Sequence, residues 1–459
     1  MLHHQSPAMR RLKNIDLSGL YTRNHNKSTK NHEPAYSICC RNGQVHLPPE
    51  RQPPPFLQNL LSGGRRTNHF KKIIRIYNSL FAFTSLDGKV DNRINRGGAP
   101  YTFKLHGHNY HLIGSICPVE GETPKYCQLY IYDIEHEVEN RRNVVAGSDS
   151  TDPEIMEGLL MMLNQHNILV HGFRMARERF KNDEPEECTL KLLSSYSAFG
   201  RPNPVGPSNE VGALIVRDLE NSAGWKDIVV MKKNRKLKRI YETNRHYMQL
   251  QYPIMFPFGD DGFHPEIKLQ TKQGGRPRKL LDPDVDPEET KHREFVSLRE
   301  YYAYKLMIRP NEALTPHLCG RLWQQYIVDA FTAVEQYRLD WVRTHQTTIR
   351  TDLYSSIRDS LRKGDTDTSH VGKNIILPAT FTGSKRYMSQ YFKDSLAICR
   401  SIGHPTFFLT MTTNTKWPEI QRMLDLLPGV DVGDAPDVVA RVFKMKVDQL
   451  VDLNNNIYS

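Results

Sequence analysis

The chain has 459 residues, 38% of them hydrophobic and 25% charged, with 62 Lys plus Arg against 51 Asp plus Glu for a net charge of +11. That length supports two or three domains and a sizeable core. No apolar run approaches the roughly 18 residues of a spanning helix. The opening MLHHQSPAMRRLKN has no apolar h-region, so we expect neither a membrane segment nor a secretory signal.

The charge is uneven. Residues 1–80 hold thirteen Lys/Arg, among them Arg10, Arg11, Lys71 and Lys72, but only three acids, Asp16, Glu33 and Glu50. Such a stretch is read as a solvated tail, as a nucleic-acid contact or as a nuclear address. Seven cysteines at wide spacing, Cys39, Cys40, Cys117, Cys127, Cys188, Cys319 and Cys399, include no C-x-x-C. We expect reduced thiols in an intracellular protein.

In chain order, residues 1–36 are polar and basic without periodicity and read as a disordered tail. Residues 47–56, LPPERQPPPF, read as extended. Phe70, Ile73, Ile74 and Tyr77 predict a helix over 67–80. Tyr110–Cys117 and Cys127–Ile134 alternate like the arms of a hairpin. A cap at Thr151 or Asp152 before Pro153 predicts a helix carrying Ile155, Leu159, Met162 and Leu163, and another is expected over 171–181.

Strands are then expected at 211–217, 227–231 and 237–241. The last two form a hairpin whose tip carries Lys232, Lys233, Arg235, Lys236, Lys238 and Arg239. Six cations at one turn read either as a solvated tip or as phosphate contacts. If all six met single-stranded phosphates, log affinity would fall against log salt with a slope of about −4. Residues 271–292 form a charged, proline-containing linker, where Gly274–Lys279 partly matches the R-G-R-P minor-groove hook.

Beyond it the pattern is helical. Thr315-Pro316 opens a helix with Leu318, Leu322, Tyr326, Ala330, Val334, Tyr337 and Trp341 on one face. Further helices are expected over 352–363, after a Ser384 cap, from Pro418, and after an Asp434 cap. Between the last three lies Phe407–Ile420, FFLTMTTNTKWPEI. Its alternation predicts a strand with Phe407, Leu409 and Met411 on an apolar face and Thr410, Thr412 and Asn414 on a polar one.

This stretch resembles the first replication-initiator motif of Helitron transposon proteins, F-I-T-F-T-C-N-P-K-W-P-E-I. The resemblance extends through Leu377–Arg400, Arg299–Arg309 and Gln249–Ile267, back to FAFTSLDGKVD near Phe81. It implies a Helitron helicase-like, replication-initiator domain over 293–459, following a β-rich region over 37–270. The fold class expected is α+β, ending in an incomplete initiator-type sheet. By motif position Thr410, Thr412, Asn414, Lys416 and Trp417 are DNA-binding candidates. Thr413 and Thr415 depart from the family's Cys and Pro, which softens the turn. Cys39-Cys40 sits where the family has a Cys pair, but the upstream C-x-x-C is absent, so no Cys₄ zinc site is expected.

Family members of this class use a divalent metal held by a His-hydrophobic-His pair, a tyrosine nucleophile and an ATP-dependent helicase. Here no histidine follows Ile420, Tyr458 is the one later tyrosine, and no G-x-x-x-x-G-K-[ST] occurs. His106-Gly107-His108 has the right spacing but a glycine between, and the family's motif does not map onto it. The expectation is a catalytically incomplete segment with no catalytic residue, metal or cofactor. Its expected partner is single-stranded DNA, bound weakly and salt-sensitively in the nucleus, with no membrane contact. The alternative is a non-catalytic interaction remnant that pairs through the open sheet edge at 407–412.

Overall fold

The computed structural model describes residues 37–41, 43–63, 66–91, 93, 103–106, 109–115, 118, 121–131, 136–144, 150–182, 189–192, 213–216, 228–231, 237–270, 293–309, 312–346, 375, 377–407 and 409–458. The chain divides into two compact units. One comprises residues 1–330 with 414–459, the other residues 331–413.

The larger unit opens with α1 (Ser37–Cys40), α2 (Pro55–Leu61), α3 (Thr67–Lys72) and α4 (Ile74–Phe81). The single helix expected over 67–80 is broken at Ile73 (φ −117°, ψ 21°). Adjacent β-branched isoleucines weaken the helix there, and Phe70, Ile74 and Tyr77 on either side of the break are all fully buried. Strands β1 (Ser85–Leu86), β2 (Lys89–Val90), β3 (Leu105–His106) and β4 (His111–Ile113) follow, with β2 and β3 paired to each other.

The hairpin expected over 110–134 does not form. β4 pairs with β1, and Tyr126–Tyr130 winds into a 3₁₀ turn. Cys127, Leu129 and Tyr130 are all buried, which alternation across a strand would not allow.

Next come α5 (Glu137–Val144), α6 (Pro153–His166) and α7 (Ile168–Asn182). Asp152 caps α6 as expected, accepting from the Glu154 N–H at 2.9 Å, and Ile155, Leu159, Met162 and Leu163 are buried. Arg141 on α5 is wholly buried beneath this layer. It donates to Glu137, which Arg174 also meets, and its guanidinium lies 4.3 Å from the Tyr130 ring centroid. The buried charge is thus paired and stacked rather than stranded.

Strand β5 (Thr189–Leu192) was not expected, while β6 (Ala213–Val216), β7 (Ile228–Met231) and β8 (Lys238–Ile240) lie close to the expected positions but pair differently. β5 is the centre of an antiparallel sheet ordered β6-β5-β7, while β8 joins β4 in the sheet β1-β4-β8. The hairpin expected between 227–231 and 237–241 is therefore absent, because its two arms belong to different sheets.

After α8 (Tyr247–Gln251), residues on both sides of 271–292 are tied together. Lys268 bridges Phe295, and the Leu269 and Val296 amides donate to Glu294 and Ile267 carbonyls at 2.8 Å. The stretch 271–292 itself lies outside the described residues, as do the tail 1–36, the Gly274–Lys279 hook and the helix expected over 352–363.

Helix α9 (Leu298–Lys305) starts with a capping box between Ser297 and Glu300. It leads to α10 (Thr315–Leu318) and α11 (Arg321–Thr344). Thr315 is the first residue of α10 rather than its cap, which is Leu314. The expected face of α11 holds for Leu322, Tyr326 and Ala330, which are buried, but Tyr337 and Trp341 are exposed.

Asp329 sits among those buried apolar positions and explains how β4 is held. Both ring nitrogens of buried His111 are engaged, one with the Asp329 carboxyl at 2.6 Å and the other with the Tyr247 carbonyl at 3.0 Å. Tyr252 donates its hydroxyl to the same carboxylate at 2.8 Å, and Asn109 occupies the other oxygen at 2.9 Å. The Tyr247 ring stacks on the imidazole at 3.7 Å. Burial pushes the Tyr247 and Tyr252 hydroxyls well above their ordinary range, with the Asp329 charge adding to it.

The smaller unit contains α12 (Lys385–Ile402), capped by the Ser384 hydroxyl at 3.0 Å from the Tyr387 N–H, as expected. In the same unit Arg338 covers the buried Phe381 ring and donates to the Thr380 carbonyl. Residues 407 and 409–413 form no strand, so the expected sheet edge is absent. Phe407 and Leu409, meant for its buried face, are 82% and 74% exposed. No described strand lies alongside to complete a ladder, and an unpaired segment gains nothing from strand geometry.

The larger unit resumes with α13 (Pro418–Leu424) and α14 (Pro436–Tyr458). They close a small core of Ile308, Met423, Leu426, Leu427, Val430, Ala435 and Val438. Asp434 does not cap α14. It pairs with Arg321 at 3.3 Å. The fold class is mixed α+β as expected, although helices rather than strands dominate the described N-terminal region.

Replacing His111 or Asp329 with alanine strips the other of its buried partner and should cost ~3–5 kcal/mol. Tyr252→Phe removes one hydrogen bond and should cost about 1–2 kcal/mol. Denaturant midpoints report this order, and an equal effect from all three would remove the pair from its role as a tie.

Burial lowers His246 and His317 to about 4. The unfolded chain, titrating near 6.5, therefore takes up protons that the native state refuses. Stability should fall as pH drops from about 6.5 to 4, by up to roughly 3 kcal/mol per histidine. Acid unfolding of a His246→Gln, His317→Gln variant should show a flatter limb across that window.

Candidate nucleic-acid interface

The motif residues from Asn414 onward form a turn rather than the end of a strand. Asn414 Oδ1 accepts the Lys416 N–H at 2.9 Å, and its carbonyl accepts the Trp417 N–H at 3.1 Å. Such an Asx turn replaces local backbone bonding with side-chain bonding. Gln421 reaches back from α13 to donate to the Thr415 carbonyl at 2.9 Å. The softening expected from Thr413 and Thr415 is thus offset by Asn414 and Gln421, and Pro418 fits the first turn of α13 with its fixed φ.

This leaves Asn414 and Lys416 exposed and Trp417 half-buried. Lys446 of α14 lies 5.9 Å from the Trp417 ring centroid and pairs with Glu419 at 2.8 Å. That contact holds the Glu419 carboxyl below its usual range. A cation therefore stands over the indole within the fold while part of the ring meets solvent. Thr410 and Thr412 are exposed on non-strand chain.

The cations around this segment divide by partner. Arg441 pairs with Asp437, Lys444 with Asp448 and Lys446 with Glu419. Lys416 and exposed Arg422 take part in no ion pair among the described residues. The turn after α13 is anchored from α3, where Lys71 donates to the Pro428 carbonyl at 2.6 Å and burial lowers its ammonium to about 8. Gly429, at φ 70° and against Lys71, needs the left-handed region that glycine favours.

The basic hairpin candidates are not gathered into one site. Lys232, Lys233, Arg235 and Lys236 lie outside the described residues. Lys238 and Arg239 belong to β8 and are half-buried. Arg239 pairs with Glu242 at 3.0 Å, and its guanidinium lies 3.9 Å from the Tyr110 ring centroid. His106 pairs with Asp91 at 2.9 Å, Gly107 and His108 lie outside the described residues, and no group of three His, Cys, Asp or Glu among the described residues could hold a metal ion.

Sequence reasoning missed the Asp329 tie. Its signal was a lone acid at an inward position of α11, together with His111 in the H-G-x-x-Y-H stretch.

No helix among the described residues is long and apolar enough to cross a membrane. A search of curated proteins finds no match to the chain. Residues 301–457 match the family model described as the Helitron helicase-like domain at N-terminus. That stretch runs from α9 to the end of α14 and includes the Asn414 turn. The likeness to a Helitron helicase-like domain is a property of that stretch, residues 301–457.

Proposed function

We propose that this segment binds single-stranded DNA weakly, mainly through charge, and acts without cutting it. The observation that carries the reading is the Asn414 turn, which fixes the backbone at Lys416 and Trp417 while leaving the lysine exposed and the indole partly open. A preset turn places a cation and an aromatic face without further ordering cost. The basic excess of residues 1–80 supports a long-range attraction to phosphate and a nuclear location. Binding is the activity assigned to these residues. No metal or ATP is assigned to them.

Fluorescence anisotropy with labelled dT₂₀ and a matching duplex, titrated from low to moderate salt, tests the reading. Affinity should fall log-linearly with salt, and Lys416→Ala should make the slope shallower by about 0.7, the share of one single-strand phosphate. Trp417→Ala should weaken dT₂₀ binding by ~1–3 kcal/mol if a base stacks there. Salt-independent binding, or unchanged slopes in Lys416→Ala, would dismiss the site.

Asn414→Ala supplies a second check. It removes the acceptor of the Lys416 amide, and hydrogen exchange at that amide should quicken roughly 5- to 10-fold, equivalent to about 1 kcal/mol. Loss of DNA affinity with the lysine still present would assign the turn a positioning role.

A further inference from the structure

Helix α12 is regular, capped at Ser384 and ended by Gly403 at φ 102°, yet no residue within it is buried. Met388, Tyr391, Phe392, Leu396, Ile398 and Ile402 are 42–83% exposed. At 100° per residue these six, with Ser395 and Cys399 among them, occupy one arc of roughly 160°. A solvent-facing helix normally shows the reverse pattern, and contiguous apolar surface of this kind marks an interaction site. Segregation by face also separates this helix from an unstructured greasy run. Outside the arc lie Ser389, Gln390, Lys393, Asp394, Ala397 and Ser401, all polar except Ala397.

The edge of the arc identifies the occupant. Lys393 and Arg400, seven residues apart, are exposed on one side of the helix next to the arc, and exposed Lys385 stands within the arc on that same side. The other flank offers one acid, Asp394. A second copy laid antiparallel across the arc would set this cationic edge against itself, because two-fold pairing brings like edges together. An acidic rim would instead meet it with opposite charge.

We propose that the apolar side of α12, with its cationic edge, docks an acidic amphipathic helix from another polypeptide. Leu, Ile or aromatic anchors of that helix would cover Tyr391, Phe392 and Ile398, and its Glu or Asp rim would lie along Lys393 and Arg400. This is the helix-on-face mode of recognition, read through anchors at i, i+3, i+4 and i+7. It is independent of the DNA reading, since it uses neither Lys416 nor Trp417.

Two fluorescein-labelled model peptides test it on the full chain. Both carry a leucine face at helical spacing, one with a glutamate rim and one with a lysine rim. The glutamate peptide should bind at least 10-fold more tightly by anisotropy. Phe392→Asp with Ile398→Asp should weaken it at least 10-fold while circular dichroism stays unchanged, because both side chains are already exposed. Lys393→Glu with Arg400→Glu should reverse the preference between peptides.

Equal binding of the two peptides, or none, overturns the proposal. So does light scattering that shows a dimer dissolved by Phe392→Asp with no peptide bound, which would assign the face to a second copy. Binding of phosphatidylserine vesicles in preference to the glutamate peptide would assign it to a lipid surface and equally overturn it.

Discussion

The buried carboxylate of Asp329 carries the most demanding contacts in the larger unit. It receives an imidazole and an amide from His111 and Asn109 at the start of β4, and a phenol from Tyr252 beyond α8. A carboxylate this deep is tolerated only when its acceptor positions are filled. The three donors consequently have to arrive together. His111 brings β4, Tyr252 brings the chain after α8, and Asp329 brings α11, so one charged group registers a sheet, a loop and a long helix against each other.

A second set of ties joins the C-terminal helices to the same unit. Lys71 holds the Pro428 carbonyl, Arg321 holds Asp434, and Arg75 donates to the Arg321 carbonyl at 2.8 Å. Apolar packing between α13, α14 and the stretch around Ile308 supplies the bulk of the contact. The Asn414 turn precedes α13, and its geometry therefore starts from a helix whose inner face is locked. Local side-chain bonds then do what a proline would otherwise do by ring closure.

Much of the helical content was legible because it rests on local rules. Asp152 and Ser384 both accept backbone donors at helix starts, and the apolar spacing of α6 is realised residue for residue. Strand positions were also visible in 213–216, 228–231 and 238–240. Their partners were not, because pairing is a long-range choice that alternation does not encode. β8 joined β4, more than a hundred residues away, in place of its neighbour β7. The stretch at 407–412 alternates like a strand, yet a pattern compatible with a sheet does not supply the neighbour that makes one. In the candidate site, Asn414, Lys416 and Trp417 were marked by motif, whereas the bracing by Gln421 and Lys446 depends on helices folding back beside them.

The paired backbone at Lys268 and Phe295 has a bearing on how this protein can vary. Its two short segments act as a clasp, so the distance between the ends of the intervening residues is set by the fold. Lengthening a closed loop is cheap, on the order of 0.6 kcal/mol for each doubling. Adding residues between positions 271 and 292 therefore bears little on the free energy of the clasp itself.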